Sequence, residues 1–319
     1  MKIESSLAGE KHVNSAETKQ FEEFLDGITG RFAQVAQAGQ GLDMMREVAE
    51  GLHRAGAEPE GVTYAEVDVN GIPALWAIPQ GASSEHAIVW FHFGGSVVAS
   101  MYTDRKAAGH VAKAAGVRAL VVDFRLAPEN KHPAQINDAV TAFEWLVAQG
   151  YAPEKIGSVG HSIGGNLAIT LPLTLRDKGR PLPGAIVAIS PWIDPTMSHP
   201  DYADKGGTTD RLLNQDLGEF FRESWIGGTG VSPSDPQINL LHADLTGLPP
   251  ISLHWGTYEV LNGECNWFAE RLQKEGIESQ SRPLGGGQHS FVIAGGKVPE
   301  VDAEIQVMGR WLRDKLGVT

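Results

Sequence analysis

Gly160-His161-Ser162-Ile163-Gly164 sets a serine between glycines two residues to either side. A serine hydroxyl is a weak nucleophile until a base takes its proton and an acid orients that base, so the pattern points to acyl transfer only in such company. A sharp strand-to-helix turn lifts the hydroxyl above a sheet edge and crowds the backbone, which calls for glycine on both sides. The helix beyond it brings positive potential to the place where negative charge develops. Where this turn is used, acid and base follow the serine in the order Ser, Asp or Glu, His. Downstream lie His199, His242, His254 and His289. His289 follows a strand pattern at 279–284 and Gly285-Gly286-Gly287, which puts it on a loop before the last helix. It is the expected base. His254 sits inside an apolar strand and reads as a satisfied core residue, while His199 and His242 fall in or beside a polar insertion. Glu259 is the first carboxylate after the apolar run 251–255 and is the expected acid. Glu264 competes for the role, but it reads as a charge at the start of the next helix.

Attack on a carbonyl creates an oxyanion that needs preorganised N–H donors. One would be the backbone N–H of Ile163, next after the serine. The loop His92-Phe93-Gly94-Gly95, at the end of an early apolar strand, is where the others are expected; its alternative is a plain tight turn. Cys265 is the only cysteine, so no internal disulfide forms, and a lone cysteine reads as a small buried hydrophobe before it reads as a nucleophile.

The elements that must hold these residues show in the apolar pattern. Runs at 87–93 and 117–124 are continuously apolar, as strands buried on both faces are. Shorter runs at 156–160, 185–190, 251–255 and 279–284 continue the series, with helical spacing at 104–115, 134–149, 163–176, 264–275 and 299–316 between and after them. That alternation predicts βαβ units and a mostly parallel central sheet flanked by helices. Upstream, 62–78 reads as two strands joined at Asn70-Gly71, a hairpin signal. Residues 15–55 carry helical spacing that Gly27, Gly30, Gly39 and Gly41 are expected to break into short helices. Residues 194–247 are polar, with scattered aromatics, glycine and proline, and read as an insertion over the sheet's top edge. No repeat or linker divides the chain. One domain spanning 1–319 is expected, with a cap built from about 1–55 and 194–247.

Composition narrows the partners. Twenty-six Lys and Arg against 39 Asp and Glu give a formal charge of −13, which argues against nucleic acid and anionic membrane surfaces. The first residues lack the apolar core of a signal peptide and no stretch is long enough to span a bilayer, so a soluble, cytoplasmic protein is expected. No His/Cys/Asp cluster has metal-ligand spacing, and no cofactor is expected.

The chain resembles the hormone-sensitive-lipase-like family of bacterial α/β-hydrolases, from about residue 87 to the C-terminus. His92-Phe93-Gly94-Gly95 resembles the family's H-G-G-G motif. Asp123-Phe124-Arg125-Leu126-Ala127-Pro128-Glu129, followed by Pro133 and Asp138, is similar to D-Y-R-L-A-P-E and is the most specific match. Residues 160–168 (GHSIGGNLA) resemble G-D-S-A-G-G-N-L-A, and 248–261 and His289-Ser290-Phe291 are similar to the acid and histidine regions. The resemblance implies an α/β-hydrolase fold with an N-terminal helical cap and a Ser162–His289–Glu259 triad. It also implies an oxyanion hole from the N–H groups of Gly94, Gly95 and Ile163, and dimerisation through the last strand and helix. Three departures bear on substrate choice. Phe93 replaces a glycine, Ser96 stands where an aromatic often follows, and His161 and Ile163 replace the usual Asp and Ala.

The expected activity is hydrolysis of small apolar carboxylic esters or lactones through an acyl-enzyme, with Phe93, Ser96 and His161 expected near the substrate. Loss of the aromatic at 96, with Phe220, Phe221 and Trp225 in the cap, suggests a pocket for bulky or cyclic substrates. Two other readings stand beside it: an amidase or peptidase on the same scaffold, and a non-catalytic small-molecule receptor.

Overall fold

In the computed structural model, residues 15–319 are described. The first 14 residues of the expected cap lie outside them. In chain order the elements are α1 (Ala16–Gln37), α2 (Gly41–Glu50), β1 (Val62–Val69), β2 (Ile72–Pro79), β3 (Ala87–Phe91), α3 (Met101–Ala115), β4 (Arg118–Val122), α4 (Ala134–Ala148), β5 (Ile156–His161), α5 (Ile163–Asp177), β6 (Ala185–Ile189), α6 (Asp201–Lys205), α7 (Gln215–Ile226), β7 (Ile251–Gly256), α8 (Asn262–Lys274), β8 (Ser279–Leu284) and α9 (Pro299–Leu316).

The strands form one sheet in the order β1-β2-β4-β3-β5-β6-β7-β8. β1, β2 and β4 pair antiparallel, and every pair from β4 through β3 to β8 is parallel. This is an α/β-hydrolase fold. The continuous apolar runs follow from burial on both faces: in β3, Ala87, Val89 and Phe91 join one core while Ile88 and Trp90 join the other. α5 packs on the first side through Ile163, Leu167 and Leu171, and α9 on the second through Ile305, Met308 and Leu312. The chain leaves β3 toward β4 on one side and returns to β5 on the other. That reversal opens a crevice at the carboxyl ends of β3 and β5, where open α/β sheets bind ligands.

The Asn70-Gly71 turn joins β1 to β2 as expected, with both residues at positive φ. The N-terminal segment differs from its sequence reading. α1 runs 22 residues through Gly27 and Gly30 without a break, and only Gly39 and Gly41 take positive φ. Each interior glycine costs about 1 kcal/mol relative to alanine, a cost that burial of Phe21, Leu25 and Ile28 on one face outweighs. α3 starts three residues earlier than its apolar spacing suggests, because Ser100 and Thr103 form a reciprocal capping box. Among the described residues, no helix is long and apolar enough to cross a membrane.

Candidate active site

Ser162 stands between the last residue of β5 and the first of α5, at φ 58° and ψ −124°. A non-glycine residue in that region costs about 1–3 kcal/mol and persists only where its surroundings hold it. Here they do: Ser162 N–H donates to the Ile189 carbonyl at 3.0 Å, and Trp192 N–H donates to the Ser162 carbonyl at 3.0 Å. The need for glycine at 164 is steric, since a Cβ there would lie 2.0 Å from the Phe91 carbonyl oxygen.

His289 follows β8 on a loop, and Glu259 sits in the turn between β7 and α8. His289 Nε2 lies 3.0 Å from Ser162 Oγ, and its Nδ1 lies 2.7 Å from Glu259 Oε2. Gly256 N–H donates to the other carboxylate oxygen, Oε1, at 2.8 Å. With Nδ1–H donating to Glu259, Nε2 presents its lone pair to the serine hydroxyl. Burial pushes the Glu259 carboxyl above its ordinary value, the His289 imidazole pulls it down, and a second buried carboxylate, Asp210, pushes it up.

The competing residues fall elsewhere. His254 is buried, 2.6 Å from Ser252 Oγ and 3.1 Å from Glu304 Oε2, a satisfied core residue. His199 packs edge-on against Trp267 at 4.5 Å, and His242 is exposed. Cys265 is buried, and burial pushes its thiol well up, away from a nucleophilic thiolate.

Glu264 lies in the first turn of α8, where its sequence reading placed it, and it is fully buried there. Its Oε1 accepts from Ile193 N–H at 2.7 Å, and the Tyr202 hydroxyl lies 3.3 Å from Oε2. Burial raises its carboxyl well above the ordinary range. The folded protein therefore holds this proton to higher pH than the unfolded chain does. The associated stability is complete below the ordinary carboxylate range and is lost as pH rises toward the raised value. Glu264→Gln keeps an acceptor oxygen for the Ile193 N–H but cannot ionise. The melting temperature of Glu264→Gln minus that of the parent should increase from about pH 4.5 to pH 8. A difference flat across that range would show that Glu264 ionises as easily folded as unfolded.

The loop after β3 turns through Gly94 at φ 103° and Gly95 at φ 61°. A Cβ at 94 would meet the Val98 carbonyl oxygen at 2.1 Å, and one at 95 would meet the Phe221 ring at 2.2 Å. Among the described residues, the N–H groups of Gly94, Gly95 and Ile163 meet no backbone acceptor in the loops and turns. Phe93 keeps a negative φ, so a side chain is tolerated where the family motif has its first glycine.

An apolar cavity opens onto Ser162 and His289. Its walls are mainly Phe93, Trp192, Tyr202, Leu212, Leu213 and Phe221, with Phe32 and Leu52 from the N-terminal segment. The cavity volume is about 40 Å³. Two residues expected near the substrate do not line it. Ser96, at φ 63° and wholly buried, is turned into the loop interior, and its carbonyl accepts from Ala127 N–H. His161 is wholly buried behind the elbow, with Nε2 within 2.7–2.8 Å of both Asp104 oxygens and its ring 4.9 Å from that of Phe93. Of the three cap aromatics, only Phe221 reaches the cavity; Phe220 is 37% exposed, and Trp225 packs on Trp192 at 5.9 Å. Sequence reasoning missed Tyr202, Leu212 and Leu213. Their one visible signal is an apolar pair, Leu212-Leu213, inside an otherwise polar stretch.

Comparison with known proteins gives a consistent picture. A family profile described as the alpha/beta hydrolase fold matches residues 88–293. The chain is 30% identical over 251 residues to an acetyl-hydrolase of Streptomyces hygroscopicus, covering 79% of this chain and 83% of that protein. It is 26% identical over 219 residues to an esterase of Acinetobacter venetianus, covering 69% and 72%. Among solved structures, an esterase from the bacterial hormone-sensitive lipase family superposes with a TM-score of 0.88 at 31% identity, covering 95% of this chain and 99% of that one. An esterase/lipase from an uncultured bacterium gives 0.83 at 25% identity, covering 96% and 100%.

Proposed function

Because the chain belongs to the hormone-sensitive-lipase-like family of bacterial α/β-hydrolases and is a carboxylic ester hydrolase, we propose that it cleaves esters of short acyl chains through a Ser162–His289–Glu259 triad. The observation that carries this reading is the unbroken hydrogen-bonded chain Glu259–His289–Ser162, ending at the mouth of a narrow apolar cavity.

In this mechanism Ser162 Oγ attacks the ester carbonyl while His289 Nε2 takes its proton. Glu259 holds the imidazole in the right tautomer and supports the imidazolium that forms. The N–H groups of Gly94, Gly95 and Ile163 receive the developing oxyanion, and the α5 N-terminus adds favourable potential. Collapse expels the alcohol, protonated by His289. A water activated by the same imidazole then releases the acid.

The acyl chain lies between Phe93, Leu212, Leu213 and Phe221. Residues 15–55 and 194–247 act as the cap, since each supplies cavity wall: Phe32 and Leu52 from the first, Tyr202 and Phe221 from the second. Narrowness favours acetyl to butyryl groups over bulky or cyclic ones, and similarity to an acetyl-hydrolase points the same way. A panel of p-nitrophenyl esters, matched anilides and small lactones tests this. kcat/KM should fall at least tenfold from butyrate to octanoate, since even one misfitting methylene of the four added costs about 1–3 kcal/mol, and anilides should be cleaved far more slowly. A profile rising toward octanoate or macrolactones would overturn the acyl assignment. Anilides matching esters would replace it with an amidase.

A further inference from the structure

Four residues between Lys205 and Leu213, namely Lys205, Thr209, Asp210 and Arg211, are tied to the two loops that carry Glu259 and His289. On the acid loop, Lys205 Nζ donates to the Thr257 carbonyl at 2.7 Å and the Thr209 hydroxyl donates to the Tyr258 carbonyl at 2.8 Å. Val260 N–H, next to the acid itself, donates to Asp210 Oδ2 at 2.9 Å. On the histidine loop, Gln288, immediately before His289, accepts from Arg211 N–H at 3.0 Å and donates to the Thr209 carbonyl at 3.0 Å. The other Asp210 oxygen, Oδ1, accepts from Leu212 and Leu213 N–H at 2.9 and 2.8 Å, and those leucines line the cavity beside Ser162.

We propose that Asp210 is a positioning residue that locks the catalytic-acid loop to the leucine wall of the acyl cavity, so that the acid's placement and the cavity's shape are set together. The inference rests on the triad reading. Three N–H groups converge on two oxygens, and only a carboxylate, an acceptor at both, satisfies them all. An amide has one acceptor oxygen, so Asp210→Asn must point its NH₂ at either Val260 N–H or the two leucine N–H groups. The carboxyl is buried, which pushes it above its ordinary value, while His289 and the N–H groups pull it back. A buried acid next to the triad needs this much hydrogen bonding to be kept there.

The experiment is a pair of double-mutant cycles on p-nitrophenyl butyrate, reading kcat, KM and melting temperature. Asp210→Asn should lower kcat by about 10–10²-fold, the scale of a small misplacement of a catalytic group, and should also shift KM through the leucine wall. In the Glu259→Gln background its effect on kcat should vanish, because no acid remains to be placed, while the KM shift persists. Thr209→Val removes the hydroxyl that ties the same strap to the acid loop, at a half-buried site; it should lower kcat by about three- to tenfold with the same dependence on Glu259 and with KM little changed, so a poorly folding Asp210→Asn does not end the test. Equal kcat losses in both backgrounds would mark Asp210 as purely structural and overturn the inference. Wild-type kcat in Glu259→Gln alone would overturn the triad reading, and the inference with it.

Discussion

Ser162→Ala loses about six orders of magnitude in kcat on an activated ester and leaves the fold in place, by analogy with removal of the nucleophile in other serine hydrolases. Among the described residues the Ser162 side chain bonds only His289, so its loss leaves no other partner there unsatisfied. The strained backbone at φ 58° is held by Ile189 and Trp192 through main-chain groups, which alanine keeps. The melting temperature should therefore stay within a few degrees of the parent, while a fluorophosphonate probe that labels the parent fails to label the variant. Residual activity within tenfold of the parent would remove Ser162 from the chemistry.

Glu259→Gln carries the second largest effect, about 10⁴-fold in kcat, with KM little changed because the residue does not line the cavity. The amide still offers an oxygen to Gly256 N–H, so its NH₂ is left facing His289 Nδ1. The imidazole must then present a lone pair at Nδ1 and carry its proton on Nε2, where it cannot accept from Ser162. The catalytic base is present and in the wrong tautomer. Glu264→Gln serves as the control and should keep parental kcat, because Glu264 touches Ile193 and Tyr202 and not His289. Reversed results in the two variants would exchange their roles.

Those two glutamates show where the sequence could be read and where it could not. The β/α alternation was legible because strands buried on both faces must be apolar throughout, and residues 87–91 or 185–189 cannot be much else. The elbow was legible because its geometry demands glycine at fixed offsets. The order of acid and base followed from strand succession. By contrast, the burial of Glu264 in the first turn of its helix depends on Ile193 and Tyr202, more than sixty residues away. The cavity wall was equally hidden: Tyr202, Leu212 and Leu213 lie in a stretch without periodicity, where only tertiary contacts decide which side chains turn inward. The burial of Ser96 was hidden for a related reason, since its positive φ belongs to a loop whose conformation no residue type announces.

The long helix α1 is secured in part by partners far along the chain. Ser15 bonds Glu300, Glu22 bonds Gln288, and Thr29 bonds the Arg211 carbonyl, partners 285, 266 and 182 residues further along the chain. A folding intermediate without those distant partners holds this helix less firmly, and apolar surface left exposed in such species invites aggregation. Contacts of that separation also slow folding, because long loops must close before the contacts that stabilise them can form. The cavity wall that Phe32 supplies from α1 depends on those contacts being made. Hydrogen exchange during refolding should show α1 acquiring protection after the sheet and after α9.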